Sequence, residues 1–173
     1  VYAIYLAFAH EDPDRGKIPL RDPMYIDGIY SEWMAEERAE PVKDRVLEPP
    51  QEVVVTYVWT MDTDEEIQGF DNDHTGALFE RSVEQHLAKD ASMKVVPSGT
   101  AEETKVAMKV PMDKIPYWAK STQITLHIFV PEGAHPAPSM FFMGMADLTT
   151  DWQWVGGVFS EDAIVPGQWN AVT

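Results

Sequence analysis

Apolar side chains in this sequence recur at every second position in short runs, and glycine, proline or aspartate interrupts almost every run. Alternation of this kind places one face of an extended chain in a core and the other in solvent; a helix would need spacings of three and four. On this basis the candidate strands are residues 2–9, 24–33, 52–59, 76–82, 92–96, 105–110, 123–130, 139–146, 154–159 and 169–173. About ten short strands with scarce helical signal predict an all-β sandwich or barrel.

A chain of 173 residues favours a single domain with a sizeable core. No apolar run approaches the roughly 20 residues of a membrane-spanning helix. Cysteine is absent, which excludes disulfides and thiolate metal sites, so a bound metal would need oxygen or imidazole ligands. The formal charge of −16 opposes nucleic acid as a partner, because that affinity comes from Lys and Arg displacing counterions. The same acidity suits a salt-adapted or extracellular protein or a calcium binder, without separating them. The opening Val1-Tyr2-Ala3-Ile4-Tyr5 has no initiator Met, basic leader or cleavage site, and reads as a fragment or processed product. Between residues 34 and 51 the composition turns to charge and proline, and Pro41, Pro49 and Pro50 prevent a long helix, so this stretch reads as a linker.

Several segments together resemble a known family. Ile124-Thr125-Leu126-His127-Ile128-Phe129-Val130-Pro131 is a strand ending in a proline turn; Phe141-Phe142-Met143-Gly144-Met145, Asp151-Trp152-Gln153-Trp154 and Pro166-Gly167-Gln168-Trp169 follow it. That order resembles the β-jelly-roll carbohydrate-binding modules attached to bacterial mannanases, the family 27 type. The family's last two strands resemble Val1-Tyr2-Ala3-Ile4-Tyr5-Leu6-Ala7-Phe8 and Pro23-Met24-Tyr25-Ile26-Asp27-Gly28-Ile29, here at the opposite end of the chain. The family's opening run resembles Trp59 to Phe70. Residues 52–173 followed by 1–33 would restore one module, with 34–51 joining the old ends. Two accounts fit: a circular permutant, since domain termini often lie close together, or a fragment across tandem modules that exchanges strands between molecules. Unpaired edges and half a core favour the permutant.

The resemblance implies a two-sheet antiparallel sandwich, secreted, that binds β-linked polysaccharide without catalysis and holds an attached glycoside hydrolase near its substrate. Sugar rings offer apolar C–H faces between hydroxyls, so a binder needs aromatic platforms with amides and carboxylates beside them. Trp152 and Trp154 lie two apart, with Asp151 and Gln153 beside them, and Trp118 sits in a polar turn; these are the expected carbohydrate contacts. Trp169 is expected in the core, while Trp59 and Trp33 are open between core and site. Asp62, Asp64 and Glu65 are hard oxygen ligands, and the resemblance implies a structural Ca2+ joining them to Asp27. No paired helices flank this loop, and position 73 is an aspartate where an EF-hand loop has glutamate.

Catalytic alternatives find little support. No histidine pair has helical zinc spacing, and no G-x-S-x-G elbow occurs. A sandwich-fold hydrolase or lyase would need two carboxylates facing each other across the scissile bond. The acidic pairs Glu11-Asp12 and Asp62-Thr63-Asp64 fall in expected loops. A structural or adhesion domain is the remaining alternative.

Overall fold

The structure, a computed structural model, describes residues 2–34, 53–87, 89–119, 121, 123–147, 153–160 and 164–173. In chain order the elements are β1 (Tyr2–Asp12), β2 (Gly16–Ile18), β3 (Met24–Met34), β4 (Val53–Trp59), α1 (Asp64–Gln68), β5 (Leu78–Ser82), β6 (Ser92–Val96), β7 (Thr104–Lys109), α2 (Ile115–Trp118), β8 (Gln123–Phe129), β9 (Met140–Asp147), β10 (Gln153–Ser160) and β11 (Trp169–Val172). The runs read from alternation reappear as strands, and the hairpin of β1 with β2 and two short helices are additions. The linker expected over 34–51 lies outside the described residues after Met34.

The strands form two antiparallel sheets. In the first the order is β10-β9-β1-β2, with β7 also paired to β1; in the second it is β11-β8-β3-β6-β5, with β4 also paired to β3. Residues from the beginning of the chain are therefore central to both sheets. β1 runs between β9 and β7, and β3 runs between β8 on one side and β6 and β4 on the other.

One glycine makes the shared edge of β3 possible. From Asp27 to Tyr30 β3 advances three residues while its partner β8 advances two, from His127 to Thr125. Gly28 takes up the extra residue with φ of 44°, a left-handed conformation that costs a residue with Cβ. Before this bulge β3 pairs with β6, and after it with β4.

The core lies between the sheets. Ile4, Leu6 and Phe8 of β1 and Ile26, Leu126 and Ile128 of β3 and β8 are fully buried and belong to one hydrophobic cluster. Trp59 anchors one end, with Phe70 and Trp118 at ring-centroid distances of 5.6 and 6.0 Å. Burying a side chain such as leucine stabilises by about 1.5–3 kcal/mol, and losing it also leaves a cavity. No helix among the described residues is long and apolar enough to cross a membrane.

Truncating a centre strand in either sheet tests this arrangement. Leu6→Ala and Leu126→Ala should each cost about 2–5 kcal/mol in urea unfolding. Met112→Ala, at a position 77% exposed, should change stability by less than about 0.5 kcal/mol. Equal effects at all three positions would contradict the core described.

Candidate functional site

Strand parity gives the first sheet an outer face of unusual composition. Because Ile4, Leu6, Phe8 and Val106 point into the core, the alternate positions of each strand form the opposite face. Register aligns these in rows: Lys109, Ala3, Ala146 and Trp154; Ala107, Tyr5, Gly144 and Gly156; Lys105, Ala7, Phe142 and Val158; then Ala9, Met140 and Ser160. The same parity continues to Glu11 of β1, opposite Lys17 of β2, and Ala3 and Ala9 are buried at their positions.

Tyr5 and Lys105 form the polar centre of this face. Lys105 Nζ lies 5.7 Å from the Tyr5 ring centroid and 3.1 Å from Asp73 Oδ2, with Glu103 at 3.9 Å. Glu103 also pairs with Lys17. Burial pushes the Tyr5 phenol above its ordinary pKa, against the lowering influence of Lys105. Its hydroxyl therefore stays protonated at neutral pH. The hydrogen bond with Tyr5 is the leading reason that the Lys105 ammonium is raised.

The outer face of the second sheet is differently made. Glu80, Lys94, Tyr25, Phe129 and Trp169 align across five strands. The rings pack on one another, Tyr25 edge-on to Phe129 and Phe129 tilted against Trp169. The loop after β5 folds over part of this row. Tyr25 Oη donates to Glu84 at 2.6 Å, the Leu87 N–H donates to Asp27 Oδ2 at 2.6 Å, and Ser92 Oγ donates to the Gln85 carbonyl. Tyr25 is accordingly 4% exposed and Asp27 is fully buried. Burial first, then the Glu84 hydrogen bond, pushes the Tyr25 phenol up to about 12.

The expected site residues are distributed unevenly over this framework. Asp151 and Trp152 lie outside the described residues. Trp154 takes the register position opposite Ala146, and Gln153 the neighbouring one opposite Asp147. Trp118, expected as an exposed platform, is a core residue instead. The turn before it closes into α2, with the Trp118 N–H bonded to the Lys114 carbonyl, and the indole packs on Trp59 at 6% exposure. Trp169, expected in the core, is half-buried on the outer face of β11, because Asn170 and Val172 take the inward positions. Trp59 is in the core.

The acidic loop has a local structural reason. Thr63 is the N-cap of α1, its hydroxyl accepting the Glu66 N–H, and Glu66 reaches back to the Thr60 N–H and hydroxyl. Asp64 and Glu65 are exposed in the first helical turn, where negative charge is favourable beside unpaired N–H groups. Asp62 differs: its Oδ1 accepts the Asp90 N–H at 3.3 Å. Its buried Oδ2 accepts no hydrogen bond of good geometry, although Lys89 Nζ stands 3.3 Å away. We take the pair as electrostatic only, since Lys89 is well exposed. Among the described residues no three His, Asp or Glu side chains converge on one point.

Tyr5, Lys105 and Lys109 were missed by sequence reasoning. Their signal was present as alternation, Lys105-Ala107-Lys109 and Ala3-Tyr5-Ala7, but which parity faced outward became visible only with the core. Comparison of the chain with protein-family models, curated proteins and solved structures finds no match.

The pairing of Asp27 with His127 makes stability depend on pH. Burial lowers the His127 pKa from its ordinary 6.5, more than the Asp27 charge and the Gly28 carbonyl raise it. The unfolded chain then takes up the proton first, so stability is lost as pH falls below about 6.5 and levels off once the folded state is protonated too. Urea unfolding between about pH 8 and pH 5 should show this loss, reduced in His127→Gln. An unchanged pH slope in the variant would remove His127 from the account.

Proposed function

We propose that this chain is a secreted, non-catalytic module that binds β-linked polysaccharide, mannan or glucomannan first. In this reading it is a β-jelly roll in circularly permuted strand order, holding an attached glycoside hydrolase near its substrate by raising effective concentration. The observation that carries the reading is the outer face of the first sheet. It combines an indole-bearing position, a half-buried tyrosine with a protonated hydroxyl, and small residues between them. Sugar C–H faces stack on aromatic rings, and a phenol and ammonium groups suit the ring hydroxyls. The central places of β1 and β3 within a single chain support the permutant over strand exchange.

Calcium belongs to the same proposal in narrower form. Asp27 and Asp62, whose Oδ2 has the Lys89 ammonium beside it but accepts no hydrogen bond, both border the loop after β5. These two would hold the ion, with backbone carbonyls completing a set of hard oxygens. The ion would hold that loop to β3. Asp64 and Glu65 serve the helix cap in this account.

Two measurements test these statements. Isothermal calorimetry with mannohexaose should show about tenfold weaker binding by Trp154→Ala, the upper range for one aromatic contact, with melting nearly unchanged. Intact affinity in both Trp152→Ala and Trp154→Ala would sink the platform. Separately, millimolar calcium should raise the melting temperature of chelator-treated protein, by mass action on the folded state. Asp62→Asn should abolish that rise; a rise that survives the substitution places the ion elsewhere.

A further inference from the structure

A residue on the outer face of a sheet is buried only where something lies over it. Tyr25 and Asp27, two apart on β3, share the outer face of the second sheet and are 4% and 0% exposed. Residues 83–87, which follow β5, supply the cover. They do so without burying any side chain of their own. Val83 and Leu87 are 62% and 48% exposed, Glu84 and His86 are exposed, and Gln85 is half-buried.

What holds this segment down is therefore polar. Glu84 Oε2 accepts from Tyr25 Oη at 2.6 Å and from Lys94 Nζ at 3.0 Å, the Gln85 carbonyl accepts from Ser92 Oγ, and the Leu87 N–H donates to Asp27 Oδ2 at 2.6 Å. Among the described residues no backbone-to-backbone hydrogen bond joins 83–87 to either sheet. The strand beneath is held differently, since β3 pairs with β8, β6 and β4 and Ile26 lies in the hydrophobic cluster. A segment with a few polar ties and no buried apolar side chain opens at much lower cost than such a strand. Of its ties, the one at Glu84 joins side chains alone and engages two strands at once, β3 through Tyr25 and β6 through Lys94.

We propose that residues 83–87 form a strap that lifts from the second sheet as a unit while both sheets stay folded, with Glu84 as its latch. Lifting uncovers the Tyr25 hydroxyl and the Asp27 carboxylate, and it frees Lys94 from one of its two carboxylate partners, Glu80 and Glu84. The closed strap is thus an autoinhibitory contact, which keeps the polar groups at the centre of that face from any external partner. This device stands apart from the polysaccharide reading and needs neither a sugar nor an ion.

Native-state amide exchange of the full chain, followed residue by residue by NMR in chelator, tests the strap. The Leu87 amide should exchange through a local opening whose rate barely changes with urea below the unfolding transition, because little surface is exposed. Amides of β3 and β8 should be far better protected and steeply urea-dependent. Ile4→Val, a small cavity in the other sheet, should lower protection in β3 and β8 through global stability and leave Leu87 unchanged. Tyr25→Phe keeps the ring and removes only the hydroxyl, and it should lower Leu87 protection about tenfold, the scale of one hydrogen bond to a charged group at a solvated site. In a Glu84→Ala background the same substitution should add nothing further. The proposal is overturned if Leu87 follows urea and Ile4→Val as β3 does, or if its amide has no protection to begin with. It is equally overturned if Tyr25→Phe leaves Leu87 protection unchanged, or lowers it as much with Glu84 absent as with it present.

Discussion

Pairing of the chain's first strands with its last ones is the constraint on which the rest depends. β3 joins β8 and β11 to β4, β5 and β6, so without it the second sheet has no continuous centre. β1 plays the same part between β9 and β7. These contacts span most of the sequence, as in Ile26 against Ile128 and Leu6 against Met143. Their closure entropy must be met before the core rewards it, which is the property of slow-folding β topologies. The bulge at Gly28 is the local device that lets one strand satisfy two successive partners, and it places the Gly28 carbonyl against His127.

That same topology gives the two outer faces different fates. On the second sheet the loop after β5 is tied down by Tyr25, Asp27 and Ser92, and it covers the strand centre. Each tie uses a polar group that would be costly to bury alone. Asp27 is fully buried beneath this loop, and Asp62 holds the loop's far end through the Asp90 N–H. The first sheet has a different boundary. The Asp71 backbone bonds both ways with Ala107 at its β7 side, and Asp73 and Glu103 neutralise Lys105 from the rim.

Period-two alternation was legible because it depends only on one face being buried, and the strands it marked include those that build both sheets. Parity within a strand was harder to read where a large ring competed with a small polar residue. At β11 the indole of Trp169 suggested the core, but Asn170 takes that side and uses its amide on the Val165, Gln168 and Ile128 carbonyls. A buried polar group fully bonded in this way is acceptable in a core, and hydrophobicity alone cannot show it. Trp118 was misread for another reason. Its polar surroundings suggested a turn, whereas a short helix carries the ring back onto Trp59. The cap of α1 is legible as Thr63 followed three residues later by Glu66.

The two outer faces differ in how their rings and charges are arranged. On the second sheet, Phe129 meets Tyr25 at 68° and Trp169 at 48°, so the aromatic row offers no common plane. Lys94 beside it is held by Glu80 and Glu84. Those rings and charges have already found partners within the molecule, and a ligand would have to displace them. The first sheet has small residues between Tyr5 and its neighbours on β9 and β10, and its polar centre is Tyr5 with Lys105, which Asp73 and Glu103 approach. The charge at the centre of this face is therefore balanced locally, by Asp73 and Glu103, which the segments before β7 bring to Lys105.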